Sequence, residues 1–230
     1  MDETPCCLDM NMDTTIDFIG NKHIEIINSG RDIYRITIIL SICGNGLKLP
    51  PFIIIKGEAG KTIEKNLNNL YYVKNKDIFI HCQKKGWCTT EIFIPYQESI
   101  GEKCLLILDK ESSHISTEAL DELNNLNIKY LLIPSGMTPE YQPLDISVNK
   151  KFKDNIKHKF EENRLFYQKL NGKVKLQTAH LNLVDFIYNV WYFYNIIKKE
   201  DIIKGFAHAG IINNHYFSME EEKNTRRLYF

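Results

Sequence analysis

Residues 104–133 decide the fold, and they read CLLILDKESSHISTEALDELNNLNIKYLLI. The stretch opens with a continuous apolar run that ends at Asp109 and closes with a second apolar run at 128–133. Unbroken runs of this kind are typical of strands that are buried on both faces of a sheet. Between them, Ser116 stands where a helix N-cap is expected. Strand, helix and strand in this order predict a βαβ unit with a right-handed crossover.

The residues before this unit predict antiparallel strands. Residues 2–10 form a weak strand pattern and 21–28 a second one. Residues 34–43 are a strong β-branched run, and the Gly-Asn-Gly turn signal at 44–46 leads into a further strand at 49–55. We therefore expect the first quarter of the chain to be antiparallel β structure.

Beyond the βαβ unit the pattern becomes helical. A helix is predicted over 144–164, because apolar residues repeat there every four positions. That stripe comprises Val148, Phe152, Ile156 and Phe160. Two more helices are predicted at about 178–197 and 201–209. The fold class is therefore α/β: a mixed sheet with antiparallel and then parallel strands, flanked by helices and followed by a C-terminal helical extension.

Length and composition are those of an ordinary globular protein. A chain of 230 residues can bury one good core. The formal net charge is zero, so total charge indicates no partner, although residues 148–175 hold nine Lys/Arg against three Asp/Glu. Six cysteines without a framework of spacings favour an intracellular protein with free thiols. We find neither a signal peptide nor an apolar segment long enough for a bilayer, and expect no membrane association.

Three aspartates, Asp2, Asp109 and Asp145, adjoin apolar segments of the predicted sheet and its following helix. Carboxylates are costly to pack at strand ends, so they usually bind metal, move protons or cap helices. Three hard oxygen donors that converge would suit Mg²⁺ or Mn²⁺ and a two-metal phosphoryl-transfer site. The alternatives are structural: Asp109 terminates a strand, Asp145 is a helix N-cap, and Asp2 lies in a disordered end.

Four blocks carry a resemblance to a known family. They are MDETP at 1–5, Leu-Asp at 108–109 followed by His114, PSGMT at 134–138 and QPLD at 142–145. Together they resemble the DDE-type transposase catalytic domain of the Tigger/pogo, jerky and centromere-protein-B-like group. The resemblance runs from residue 1 to about residue 212.

This resemblance implies an RNase-H-like fold with a five-stranded mixed sheet, a nuclear location and cut-and-paste transposition of DNA. It implies cleavage by activated water, followed by attack of the 3′-hydroxyl on target DNA. Asp2, Asp109 and Asp145 would then be the catalytic residues and the ligands of two Mg²⁺ or Mn²⁺ ions. On this basis we expect residues 1–165 to form the catalytic domain, 166–217 its helical extension and 218–230 a loose tail.

Two other functions stay open at this point. The family usually carries helix-turn-helix DNA-binding domains before the catalytic domain, and none precedes it here, so an N-terminally truncated copy is expected. A domesticated or decayed copy could bind DNA or protein without catalysis. A structural interaction domain on the same scaffold is the third possibility.

Candidate DNA contacts come from His114 and from the basic helix that follows the third acid. The helix contributes Lys150, Lys151, Lys153 and Lys157. Lysines in such a row can follow a phosphate backbone, whereas the alternative is a solvated amphipathic face. His114 could contact a phosphate or orient an acid, and the alternative is a loop histidine that caps local structure. The expected partners are DNA and a second copy of the chain.

A zinc site is the remaining candidate. His81, Cys82 and Cys88 are the donors in question. Their spacing lacks the second ligand pair of a structural zinc site, so free thiols are favoured.

Overall fold

Six strands form two hydrogen-bonded groups in the computed structural model, which describes residues 1–7, 35–91, 105–111, 114–169 and 176–213. The strands are β1 (Asp2–Cys7), β2 (Arg35–Leu40), β3 (Phe52–Lys56), β4 (Phe79–Gln83), β5 (Leu105–Leu108) and β6 (Lys129–Leu132). Four of them lie in the order β1-β2-β3-β4, where β1/β2 and β2/β3 are antiparallel and β3/β4 is parallel. The parallel pair β5/β6 is the second group.

A backbone hydrogen bond connects the two groups at the start of β1. The nitrogen of Met1 donates to the carbonyl oxygen of Ile107 at 3.0 Å. The β1 end of the four-stranded sheet therefore lies beside β5. The predicted five-stranded count is not confirmed, since the described residues contain six strands. The strand predicted at 21–28 lies outside the described residues.

The predicted βαβ unit is confirmed in the part of residues 104–133 that the structure describes. The helix between the two parallel strands is α3 (Thr117–Asn125). Its N-cap is Ser116, whose side chain accepts a hydrogen bond from the backbone nitrogen of Ala119 at 3.2 Å. This bond satisfies one of the amide donors that a helix leaves open at its N-terminus.

The other helices are α1 (Thr62–Asn68), α2 (Tyr71–Lys74), α4 (Thr138–Tyr141), α5 (Pro143–Ser147), α6 (Asn149–Lys169), α7 (Leu176–Tyr192) and α8 (Lys199–His208). The single helix predicted at 144–164 is divided at Val148, where φ is −115° and ψ is −54°. Hydrogen bonds of 2.9 Å still run from Val148 to Leu144 and from Phe152 to Val148. The division is therefore a local distortion that separates α5 from α6 without interrupting their hydrogen-bond ladder.

The sheet is buried on both faces, because alternate residues of its central strands enter different cores. Ile38 and Ile53 lie in the larger core, together with residues of α5 to α8. Ile39 and Ile54 lie in the smaller core with Leu123 of α3. This alternation is what the period-two geometry of a strand produces. The architecture is thus helices, sheet and helices in three layers, and no described helix is both long and apolar enough to cross a bilayer.

Candidate active site

Asp2 is the first residue of β1 and is almost completely buried. Only 5% of it is exposed, and it pairs across the sheet with Leu40. One of its carboxylate oxygens accepts a hydrogen bond from Nδ2 of Asn149, the first residue of α6. The alternative in which Asp2 lies in a disordered end is therefore wrong.

Asp145 lies in the first turn of α5 and is exposed. It is not the helix N-cap, because Gln142 occupies that position. Oδ1 of Asp145 accepts a hydrogen bond of 2.8 Å from Nδ2 of Asn149. Since the same nitrogen also donates to Asp2, the first and third acids are adjacent side chains that share one donor.

A second amide holds the backbone of β1 against α5. Gln142 is fully buried, and its Nε2 donates to the carbonyl oxygen of Met1 at 3.0 Å. The residues on either side of α5 thus contact two consecutive residues of the chain, Met1 through its backbone and Asp2 through its side chain.

Asp109 follows β5 directly and is half-buried. Its Oδ1 lies 2.9 Å from Nδ1 of His114. The imidazole is completely buried, and its Nε2 lies 3.2 Å from Oε1 of Glu3 on β1. The histidine therefore connects the second acid to the strand that carries the first.

Burial and neighbouring negative charges change the ionisation of Asp2. Removal from water favours the neutral acid, and the charge of Asp145 adds to this effect. Asp109 contributes in the same direction, while the hydrogen bond from Asn149 opposes it. The net result raises the pKa of Asp2 to about 7. An additional positive charge at this position would be strongly favoured.

His114 is shifted toward its charged form. Burial lowers its pKa, but the contacts with Asp109 and Glu3 more than compensate and raise the pKa to about 9. The imidazole is therefore an imidazolium at neutral pH, and it neutralises charge on the Asp109 and Glu3 side of the site.

The donor set suits a hard divalent cation, although the acids are not tightly gathered. Asp2 and Asp145 share one donor, and the charge of Asp109 acts on Asp2. Within the described ranges, no three His, Cys, Asp or Glu side chains come together as closely as in a ready-made metal-binding group. Oxygen donors of this kind are those that Mg²⁺ and Mn²⁺ prefer.

Comparison with protein families identifies the family of the chain. Residues 33–206 match the family model described as "DDE superfamily endonuclease". The chain belongs to this family. Asp109 and Asp145 lie within the matched residues of the DDE endonuclease domain, and Asp2 lies before them.

Two curated relatives place the DDE endonuclease domain in the Tigger/pogo group. Both are named "Pogo transposable element with KRAB domain", and they come from Mus musculus and Homo sapiens. They are 29% and 27% identical to the chain over 93% and 96% of its length. The chain spans about a third of their own length, 35% and 36%.

A solved structure of a "Mos1 transposase paired-end complex with left transposon end" is a more distant neighbour. It shares 11% identity with a TM-score of 0.38, over 82% of this chain and 52% of that one. A similarity this low does not establish a common fold.

The lysines predicted to contact DNA differ in their surroundings in the DDE endonuclease domain. Lys150 is exposed, while Lys153 and Lys157 are half-buried. Lys151 is exposed but forms an ion pair with Asp201 of α8, with 2.8 Å between Nζ and Oδ1. Lys150 is therefore better placed than Lys151 to contact a phosphate.

Of the two roles predicted for His114, its burial favours orientation of an acid over contact with a phosphate. The side chain has no exposed surface, so it orients Asp109 and Glu3 instead of facing a ligand directly. Of the zinc candidates, Cys82 and Cys88 are not joined in a disulfide.

Three residues of the site were not predicted from the sequence as site residues: Glu3, Gln142 and Asn149. Asn149 carried a usable signal, because it lies four positions after Asp145 and hence on the same helical face. Glu3 carried no comparable signal, because residues that alternate along β1 place it on the other face from Asp2.

Proposed function

We propose that this chain is the catalytic domain of a DDE transposase. It would cleave DNA with divalent metal ions and join the 3′ end to target DNA. The substrate is inferred from the relatives, which are named as transposable elements. A nuclear location and an RNase-H-like arrangement of the sheet are parts of the same proposal, as is the single domain formed by residues 1–165 with their helical extension.

One observation carries the proposal: Asp2 and Asp145 both accept a hydrogen bond from the amide of Asn149. The third acid, Asp109, follows β5, and its charge acts on Asp2. Asp2, Asp109 and Asp145 would hold the Mg²⁺ or Mn²⁺ ions. When bound, such ions activate the attacking water or hydroxyl and stabilise the leaving oxygen.

The side chains around the acids have supporting roles in this proposal. His114 fixes the orientation of Asp109 and balances its charge. Gln142 keeps the start of β1 against α5, which preserves the position of Asp2. Lys150 lies next to Asn149 on the exposed side of α6, where it can contact a phosphate beside the acids.

A nicking assay tests the proposal. The purified chain, with its tag at the C-terminal end because Met1 is buried, is incubated with supercoiled plasmid in Mn²⁺ or in EDTA. We expect nicking in Mn²⁺ alone. Asp109→Asn and Asp145→Asn should each reduce it by at least about a hundredfold, because each removes a charged donor from the site.

The matched control is Asp154→Asn, which alters an exposed acid on α6 away from the three carboxylates. This variant should nick at the wild-type rate. Absence of metal-dependent nicking by the wild-type protein would remove the enzyme hypothesis. If that protein still bound DNA at low salt, the non-catalytic, domesticated form of the family would be supported.

A further inference from the structure

Asn149 stands between two acids that belong to different elements. Its Nδ2 donates both to Asp2 at the start of β1 and to Asp145 in α5. The residue is only 3% exposed. A primary amide nitrogen has two hydrogens, so a single Asn can hold two carboxylates without sharing a proton between them.

The amide is suited to this position because it donates without adding charge. A lysine here would neutralise the carboxylates, and a cation would then gain less on binding. A third carboxylate would add repulsion and leave both acids without a donor. The neutral donor keeps the acids together while leaving their negative charge available.

We propose that Asn149 is a positioning residue that sets the spacing of Asp2 and Asp145 for a divalent cation. The inference rests on the proposed function, since it assumes that these acids bind metal. Groups that orient metal ligands from behind typically change metal affinity by 10- to 100-fold when they are removed.

Other contacts hold the same elements together, so this role can be separated from folding. Gln142 ties α5 to the backbone of Met1. Val148 and Phe152, on either side of Asn149, are completely buried in the larger core. Loss of the Asn149 amide should therefore release the two carboxylates while β1 and α6 stay in place.

The first test measures Mn²⁺ affinity by calorimetry on the intact chain. Asn149→Ala should raise the Kd for Mn²⁺ by about tenfold or more, because the two carboxylates lose their common donor. The matched control is Asn155→Ala on the same helix, whose amide donates to the backbone oxygen of Lys151 at 2.8 Å. Its Kd should stay within twofold of the wild-type value.

The second test uses Asn149→Asp. This change keeps the size of the side chain and therefore leaves no cavity that could prevent folding. This variant places a third carboxylate beside Asp2 and Asp145. Its melting temperature in EDTA should be lower than that of the wild type, and Mn²⁺ should raise it by more than it raises the wild-type value.

The outcomes distinguish the inference from the proposed function. If the wild type binds Mn²⁺ and Asn149→Ala binds it equally well or better, the positioning role is wrong and the proposed function stands. An Asn149→Asp protein that melts in EDTA at the wild-type temperature also overturns the role. If the wild type does not bind millimolar Mn²⁺, the metal site and the positioning role fail together.

Discussion

The two halves of the site hold their carboxylates with different donors. On one side, the neutral amide of Asn149 joins Asp2 and Asp145. On the other, the buried imidazole of His114 lies between Asp109 and Glu3. Both arrangements place one group between two acids, yet only the second supplies a positive charge.

The electrostatic consequences of this difference are opposite. The imidazolium balances its pair, and the pKa of His114 rises to about 9. The amide adds no charge to its pair, and burial together with the charge of Asp145 raises the pKa of Asp2 to about 7. The amide-held half therefore has the most to gain from a cation, while the imidazole-held half is already stable and maintains the geometry of Asp109.

The largest effect on stability is expected from His114→Ala. This change leaves Asp109 and Glu3 close together without the buried cation between them, and should cost about 3 kcal/mol of unfolding free energy at pH 7. Urea denaturation measures it. The control is His158→Ala, because His158 is exposed beside Glu162, and its change should stay below about 0.5 kcal/mol.

The pH dependence of the same variant gives a sharper test of the charged imidazole. The pKa of His114 is about 9 in the folded protein and about 6.5 when unfolded. The stabilisation is therefore complete below about pH 6.5 and is lost as pH rises through 9. The stability difference between the wild type and His114→Ala should narrow over this range. A difference that stays constant with pH would show that the imidazole is neutral.

Asp2→Asn should have a smaller effect on the free energy of unfolding, and of opposite sign. The pKa of Asp2 is about 7 when folded and 3.8 as its ordinary value. Ionisation therefore destabilises the folded protein increasingly from about pH 4 to pH 7, and a neutral amide avoids this. In EDTA at pH 8 the variant should be more stable than the wild type by about 2 kcal/mol, and at pH 4 the two should be equal.

Urea denaturation in EDTA and in Mn²⁺ completes that comparison. Mn²⁺ should stabilise the wild type but not Asp2→Asn. Replacement of an active-site residue commonly increases stability and reduces function in this way. A loss of stability in EDTA at both pH values would instead mean that the Asp2 carboxylate contributes favourably to the fold.

The smallest effect is expected on DNA affinity, from the two lysines that follow Asn149 in α6. Lys150 follows Asn149 in the chain and is exposed, whereas Lys151 is paired with Asp201. Lys150→Ala should weaken DNA binding about threefold at 50 mM salt and reduce the salt slope by about one. Lys151→Ala should change the DNA affinity and the salt slope less. Equal effects in a fluorescence-anisotropy titration would show that the ion pair opens on binding.

Local patterns predicted several elements well. The βαβ unit and the Ser116 cap follow from short-range signals, and both are present. The helix predicted at 144–164 is divided at Val148. The sequence did not predict this division, because an apolar residue every four positions is compatible with both a regular and a distorted helix. The strand count also differs, because the expected five strands came from the family resemblance, whereas the described residues contain six.

The sequence by itself determined the α/β class, the family and the presence of acids in its characteristic blocks, because periodicity and motif spacing are local properties of the chain. Only the tertiary structure decided which acids share a donor. The contact of Asn149 with Asp2, and that of His114 with Glu3, depend on how β1 docks beside β5 and α6. Such contacts form between segments far apart in the chain, and their donors are chosen by strand register and helix docking, which no short pattern encodes.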